Sequence, residues 1–527
     1  MKKFKEIFEE NFMEKKKLWA LGLLLAFMAF WSVCWLGVHL YSKLYCLIYS
    51  VAVLGIVALM LICFKTIKEK KFSYHKAYPF IGLFLGLVYC INLPVYTVPD
   101  EPAHLWKAYH MSNQILGIED YEGDGKLYLM MRQEDDDFAV KAEDYTLSEF
   151  SDYWKETNAT HSEEMVKTPK TVMHIESYPY IASSLGLTLG RLLHLSALKT
   201  FLLGRFFNLC LFVVIVTIAL WLLPYGQPLL FTVALLPMTI QEGMSYAYDS
   251  WVIAHSFLMF ALFLSLQKDV ASKEKTKSFW IRLAVLTVVS LLFVTIKSHG
   301  YILMCAMVAF VYLQLFFERT KVEKRIGFCL RLSYIGVLCG GILALALGFF
   351  VPDLFSYSTK TLEWSQTPGY TLGYLLHFPK ETIHVIYNTV KNQFDYYHRT
   401  MIGDLMGWLE ISLNPLVILG FDLALIVASM KEKGKSFTDG FLKRLFFWIV
   451  LFTFAVINVG MLISWSPIEA HQVVGLQGRY FLPILPLALY LLETDRVEIS
   501  TDTKAYLPIG VLLLQFLTLG QLMCLTL

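Results

Sequence analysis

The stretch Leu44–Phe64, LYCLIYSVAVLGIVALMLICF, runs for 21 residues without a charged side chain. A helix rises about 1.5 Å per residue, so about 20 apolar residues cover the ~30 Å hydrocarbon core of a bilayer. Only a helix satisfies every backbone group in so long an apolar run. A transmembrane barrel would instead alternate over about ten residues, and no such alternation is present. Similar runs recur along the 527 residues, at 18–40, 43–64, 78–96, 199–223, 227–246, 250–267, 281–297, 300–317, 328–350, 412–430, 445–465, 480–493 and 507–526. The chain is 56% hydrophobic and 17% charged, with a mean hydropathy of +0.54. Ordinary soluble domains are about 25% charged. The expected fold is an all-α integral membrane protein of about 13 transmembrane helices.

Lysine and arginine in short loops set orientation. Lys15, Lys16 and Lys17 precede the first run, and Lys65, Lys68, Lys70, Lys71 and Lys76 lie between the second and third. Lys268, Lys273, Lys275 and Lys277 follow the sixth, Arg319, Lys321, Lys324 and Arg325 the eighth, and Lys431, Lys433, Lys435, Lys443 and Arg444 the tenth. Counting spans puts all five groups on one side, expected to be the cytoplasm, together with the N-terminus. The expected location is the plasma membrane, and the count leaves two larger segments outside. The first, 97–198, ends in the amphipathic run Tyr178 to Leu195, which suits a helix lying in the interface. The second, 351–411, is rich in Tyr, His and Trp. The expected divisions are 1–77 (cytoplasmic N-terminus and a first hairpin), 78–350 (a core including 97–198), 351–411, and 412–527.

Other features carry less. A net charge of +2 gives no ground for nucleic-acid binding. The nine cysteines fall in or beside apolar runs, as small buried hydrophobes do. Met1–Lys17 is too charged for a signal peptide, so the first run is expected to stay as an anchor. Asn158-Ala159-Thr160 matches a glycosylation pattern that has meaning only in a eukaryotic secretory compartment.

The most informative polar motif is Pro99-Asp100-Glu101-Pro102-Ala103-His104, just beyond the third run. Pro102 suits the first turn of a helix and an acid before it can cap that turn. Asp100 and His104 would then lie one turn apart. Capping alone explains the pattern as well as catalysis does. Asp100, Glu101 and His104, with His110 nearby, also offer oxygen and imidazole ligands for a divalent ion such as Mg or Mn. Arg205, Lys297 and Arg479 stand at expected outer ends of spans, where snorkelling is the ordinary explanation. Asp249 has the bland reading of a helix cap. Glu242 lies inside an apolar run, where an ionisable group usually faces a cavity.

Val98-Pro99-Asp100-Glu101-Pro102-Ala103-His104, followed by Ala108-Tyr109, resembles the hallmark of a bacterial multispanning membrane-protein family, domain of unknown function 2142. That family is similar to the GT-C superfamily of polyprenyl-phosphate-sugar glycosyltransferases. Further resemblances follow in order: Tyr178-Pro179-Tyr180, Gly204-Arg205-Phe206-Phe207-Asn208, Leu236-Pro237-Met238 through Ser245 to Asp249, Lys297-Ser298-His299-Gly300-Tyr301, Gly403, Gly407-Trp408, and Gly475-Leu476-Gln477-Gly478-Arg479-Tyr480-Phe481-Leu482-Pro483. They cover about residues 78–493, and the first two spans look like an additional hairpin.

The resemblance implies a GT-C-like fold and transfer of a sugar from a polyprenyl-phosphate donor to a cell-surface glycan or other acceptor, on the extracytoplasmic face and with inversion. It implies Asp100 and Glu101 as catalytic carboxylates. It implies Arg479, Lys297, Arg205 and Tyr301 around the donor phosphate, and His104, Tyr109, Tyr178, Asp249 and Gln477 near the acceptor. Other expectations are a polymerase or ligase using lipid-linked oligosaccharide, a flippase or transporter of lipid-linked glycans, and a scaffold without activity.

Overall fold

The computed structural model describes residues 2–38, 43–138, 153, 162–273, 275–295, 299–317, 321–329, 359–432, 440–494 and 496–523. Lys297, the Asn158-Ala159-Thr160 pattern and most of the expected span 328–350 lie outside the described residues.

The described chain is mostly helical. It opens with α1 (Lys2–Val38), α2 (Lys43–Lys68), α3 (Tyr74–Asn92) and α4 (Glu101–Leu116). Next come α5 (Ile181–Leu192), α6 (Ala197–Leu222), α7 (Gln227–Ala234), α8 (Pro237–Met244) and α9 (Asp249–Ser272). The rest holds α10 (Lys277–Thr295), α11 (Ala306–Phe316), α12 (Pro379–Ile402), α13 (Pro415–Ser429), α14 (Gly440–Trp465) and α15 (Leu507–Leu522). Among the described residues, six stretches are helical, long and apolar enough to cross a membrane: Lys15–Cys34, Cys46–Lys68, Ala197–Leu222, Asp249–Ser272, Lys277–Thr295 and Gly440–Trp465. Gly300–Phe316, Pro415–Ser429 and Leu507–Leu522 are shorter apolar helices. The protein is a membrane protein with several apolar helices.

The expected spans 227–246 and 480–493 are not continuous α-helices. The run 227–246 divides into α7 and α8 because Pro237 has no N–H and its ring excludes the helical conformation at the residue before it. Leu236 is accordingly extended, with φ −65° and ψ 144°. The run 480–493 begins as a 3₁₀ turn, Gly478–Ile484, and continues as the short helix Leu485–Tyr490. Both breaks lie in the core, and both place charged side chains there.

The expectation of an all-α chain is corrected in the segment after α4. Strands β1 (Tyr121–Gly123), β2 (Lys126–Arg132) and β3 (Met165–Thr171) form an antiparallel sheet in the order β1-β2-β3. The β1–β2 link is Asp124-Gly125, with φ of 49° and 72°, the positive pair that a tight two-residue hairpin requires. Arg132 fastens the sheet inward: it donates to Asp135 at 2.8 and 2.9 Å and to the Leu195 carbonyl at 3.0 Å.

α5 carries the amphipathic pattern read from its sequence. Ile181, Leu185, Leu189 and Leu192 are exposed in one stripe, while Gly186 and Gly190 face α6. A Cβ on Gly186 would stand 2.5 Å from the Leu203 carbonyl oxygen, so the two helices approach as closely as small residues allow. That contact sets the position of α6 and, with it, Arg205.

Candidate functional site

α3 stops at Leu93-Pro94, and residues 93–100 fold back before α4 begins. Pro102 fits the first turn of α4. The two acids of the motif then go opposite ways. Glu101 is fully buried (0% exposed). Its carboxylate accepts from Arg205 Nε at 2.8 Å and Nη2 at 2.5 Å, and from the backbone N–H of Tyr96 at 3.0 Å and Tyr246 at 3.2 Å. Arg205, also 0% exposed, donates in addition to the carbonyls of Leu93 (2.5 Å) and Pro94 (2.9 Å). One buried pair thus ties the α3–α4 loop, α6 and the α8–α9 link together. The resemblance implied a catalytic carboxylate at Glu101 and a phosphate ligand at Arg205; the two form a pair in which neither side chain reaches an open surface.

Asp100 is different. It sits at the N-cap of α4, yet its side chain makes no capping hydrogen bond. Its backbone is left-handed (φ 64°, ψ −3°), a conformation that Asp, Asn and Gly tolerate better than other residues. The side chain is 63% exposed and accepts from Arg479 Nη2 at 2.9 Å.

Arg479 comes from the 3₁₀ turn and its side chain is 1% exposed. Nη1 lies 3.4 Å from both the Pro99 carbonyl and Glu242 Oε1, and Nε lies 3.9 Å from Asp249 Oδ2. Its guanidinium stands 5.2 Å from the centre of the Tyr480 ring. Among the described residues, neither Arg479 Nε nor Glu242 Oε2 has a hydrogen-bond partner, although both are buried. The turn is held from behind. Tyr301 donates its hydroxyl to the Tyr480 carbonyl at 2.7 Å, and Gly478 N–H donates to Thr400 Oγ1 at 2.8 Å. A Cβ at Gly478 would stand 2.0 Å from the Tyr397 carbonyl oxygen and 2.2 Å from the Met401 nitrogen. We therefore expect Gly478→Ala to push the turn off α12 and lower thermal stability by about 1–3 kcal/mol or more, the range for overpacking. Unchanged melting would show that α12 yields at that point.

The other residues singled out from the sequence divide. Asp249, at the start of α9, joins the Arg479 cluster, and Tyr301 supports it through the backbone. Gln477 is half-buried, and its carbonyl accepts from Tyr480 N–H at the head of the turn. His104 pairs through Nδ1 with the Tyr180 hydroxyl at 2.7 Å and packs beside Tyr248. Tyr109 donates to Asp135 at 2.7 Å under the Arg191 guanidinium, so it braces the sheet. Tyr178 donates to the Leu292 carbonyl at 2.7 Å. Burial raises the Tyr109 and Tyr180 phenols above their ordinary range and lowers the Lys107 ammonium, with Glu176 opposing the last.

Asp100, Glu101 and His104 do not form a metal-ligand set, because Arg205 and two backbone amides occupy the oxygens of Glu101. Among the described residues, no group of three or more His, Cys, Asp or Glu is arranged to hold a metal ion. Glu242, the acid inside an apolar run, proves central to the cluster. Tyr480 was quoted only as part of its motif and Thr400 not at all, and nothing local in the sequence marks their spatial roles.

The model of the family described as "Predicted membrane protein (DUF2142)" matches residues 83–488. The chain belongs to this family. The DUF2142 region runs from the middle of α3 to the short helix after the 3₁₀ turn, and it contains Asp100, Glu101, Arg205, Glu242, Asp249 and Arg479. α1, α2 and α15 lie outside it. Neither a curated protein nor a solved structure matches the chain.

Proposed function

We propose that the protein is a membrane glycosyltransferase of GT-C-like architecture, with about thirteen spans in the plasma membrane. It moves a sugar from a polyprenyl-phosphate donor to a surface glycan or other acceptor on the extracytoplasmic face. The observation that carries this reading is the exposed Asp100 carboxylate, 2.9 Å from a buried Arg479. Asp100 takes the proton of an acceptor hydroxyl as the oxygen attacks the anomeric carbon. The bond from that carbon to the phosphate oxygen breaks, its electron pair leaves with the phosphate, and the sugar centre inverts. Arg479 meets the charge that grows on the departing phosphate. That oxygen has a low pKa, so no strong general acid is required.

Transfer from a synthetic polyprenyl-phosphate sugar by purified, lipid-reconstituted protein tests the reading. Arg479→Lys keeps the charge and loses the two-pronged donor geometry, so its rate should fall between those of wild type and Arg479→Ala. Normal transfer by Arg479→Ala would remove the phosphate assignment. Orientation has its own test. Asp136→Cys and Asp395→Cys should react with an impermeant thiol reagent in intact cells, and Lys273→Cys should not. The opposite labelling would put Asp100 in the wrong compartment for this chemistry.

One observation favours a second reading, a transporter of lipid-linked glycans. The α7–α8 break places Glu242 in the core beside a second broken segment that carries Arg479, and transporters build substrate sites from such discontinuous helices. Movement of a labelled lipid-linked sugar between leaflets of proteoliposomes, without glycosidic bond formation, would support it against transfer.

A further inference from the structure

Among the described residues, three carboxyl groups, those of Asp100, Glu242 and Asp249, face one guanidinium at Arg479. They are not equivalent. Glu242 (0% exposed) and Asp249 are buried and fixed on helices, whereas Asp100 is 63% exposed and can turn outward. Two buried polar atoms, Arg479 Nε and Glu242 Oε2, have no hydrogen-bond partner among the described residues and mark the interior of the same cluster.

We propose that Asp100 and the phosphate of the donor compete for one edge of Arg479, and that the site accepts a singly charged phosphodiester and rejects a diphosphate. The inference rests on the lipid-phosphate reading above and narrows it. A phosphodiester carries one negative charge, as a carboxylate does, so exchanging one for the other leaves the charge beside Glu242 and Asp249 unchanged. A diphosphate adds at least one further negative charge close to two buried acids that cannot withdraw, and such repulsion is strong where water is excluded. Glu242 and Asp249 are thereby specificity determinants: they discriminate by what they repel. The exchange also orders events. Seating the phosphate frees the Asp100 carboxylate, so the base becomes available after the donor is in place.

Binding of two probes to the full chain in nanodiscs tests this: a polyprenyl methyl phosphate, which is a diester, and a polyprenyl diphosphate of the same chain length. Wild type should prefer the diester by about tenfold or more, the scale of one added like charge at short range. Asp100→Asn should bind the diester more tightly than wild type, because the competing charge is gone. Glu242→Gln and, independently, Asp249→Asn should narrow the preference between the probes. Equal binding of both probes by wild type, a preference for the diphosphate, or weaker diester binding by Asp100→Asn would overturn the inference and leave the transferase reading standing. Failure of wild type to bind either lipid would instead remove the lipid-phosphate reading, and the inference with it.

Discussion

Asp100→Asn is expected to lower single-turnover sugar transfer by about 10²–10⁴-fold, the usual contribution of a general base, while melting stays at the wild-type temperature. The amide has nearly the same shape, still accepts a hydrogen bond from Arg479, and tolerates the left-handed backbone at φ 64°. It cannot take a proton at neutral pH. The alternative, that Asp100 merely starts α4, predicts little change, because Asn caps as well as Asp. The geometry already weighs against that alternative, since the side chain makes no capping bond. Normal turnover by this variant would take Asp100 out of the mechanism.

Arg205→Met should have the largest effect on folding. It leaves Glu101 as an unpaired carboxylate at a fully buried position. Removing one partner of a buried ion pair typically costs about 3–5 kcal/mol, since the remaining charge has nowhere to go. The loss should appear as poor membrane yield and a lower melting temperature in detergent. Glu101→Gln combined with Arg205→Met should recover part of the loss by removing both charges. A stable Arg205→Met protein that binds lipid phosphate poorly would return Arg205 to the binding role expected from sequence.

Much of the membrane character was legible in the sequence, because runs such as Leu44–Phe64 have a length that bilayer thickness alone explains. The Pro-Asp-Glu-Pro motif was legible as a polar centre, and Arg479 and Asp249 were named with it. The division of labour within the motif was not. Glu101 and Asp100 are neighbours with the same chemistry, and their fates separate only through the backbone rotation at Asp100 and the arrival of Arg205 from 104 positions along the chain. The α7–α8 break was hidden by the leucines around Pro237, which keep the hydropathy high across an interrupted helix. The Asp124-Gly125 hairpin was a local signal, but it sat within a segment read for the motif at its start and the amphipathic run at its end.

The left-handed backbone at Asp100 constrains how this position can drift over generations. Most replacements there would strain the chain as well as remove the carboxylate, whereas Asn and Gly would relieve or preserve the conformation. A family member that had given up turnover while keeping its fold would thus be expected to carry Asn or Gly at this position and to retain the Glu101–Arg205 pair unchanged. On the proposed role of Asp100, the two adjacent letters of the motif come under separate selection, one for chemistry and one for survival of the fold.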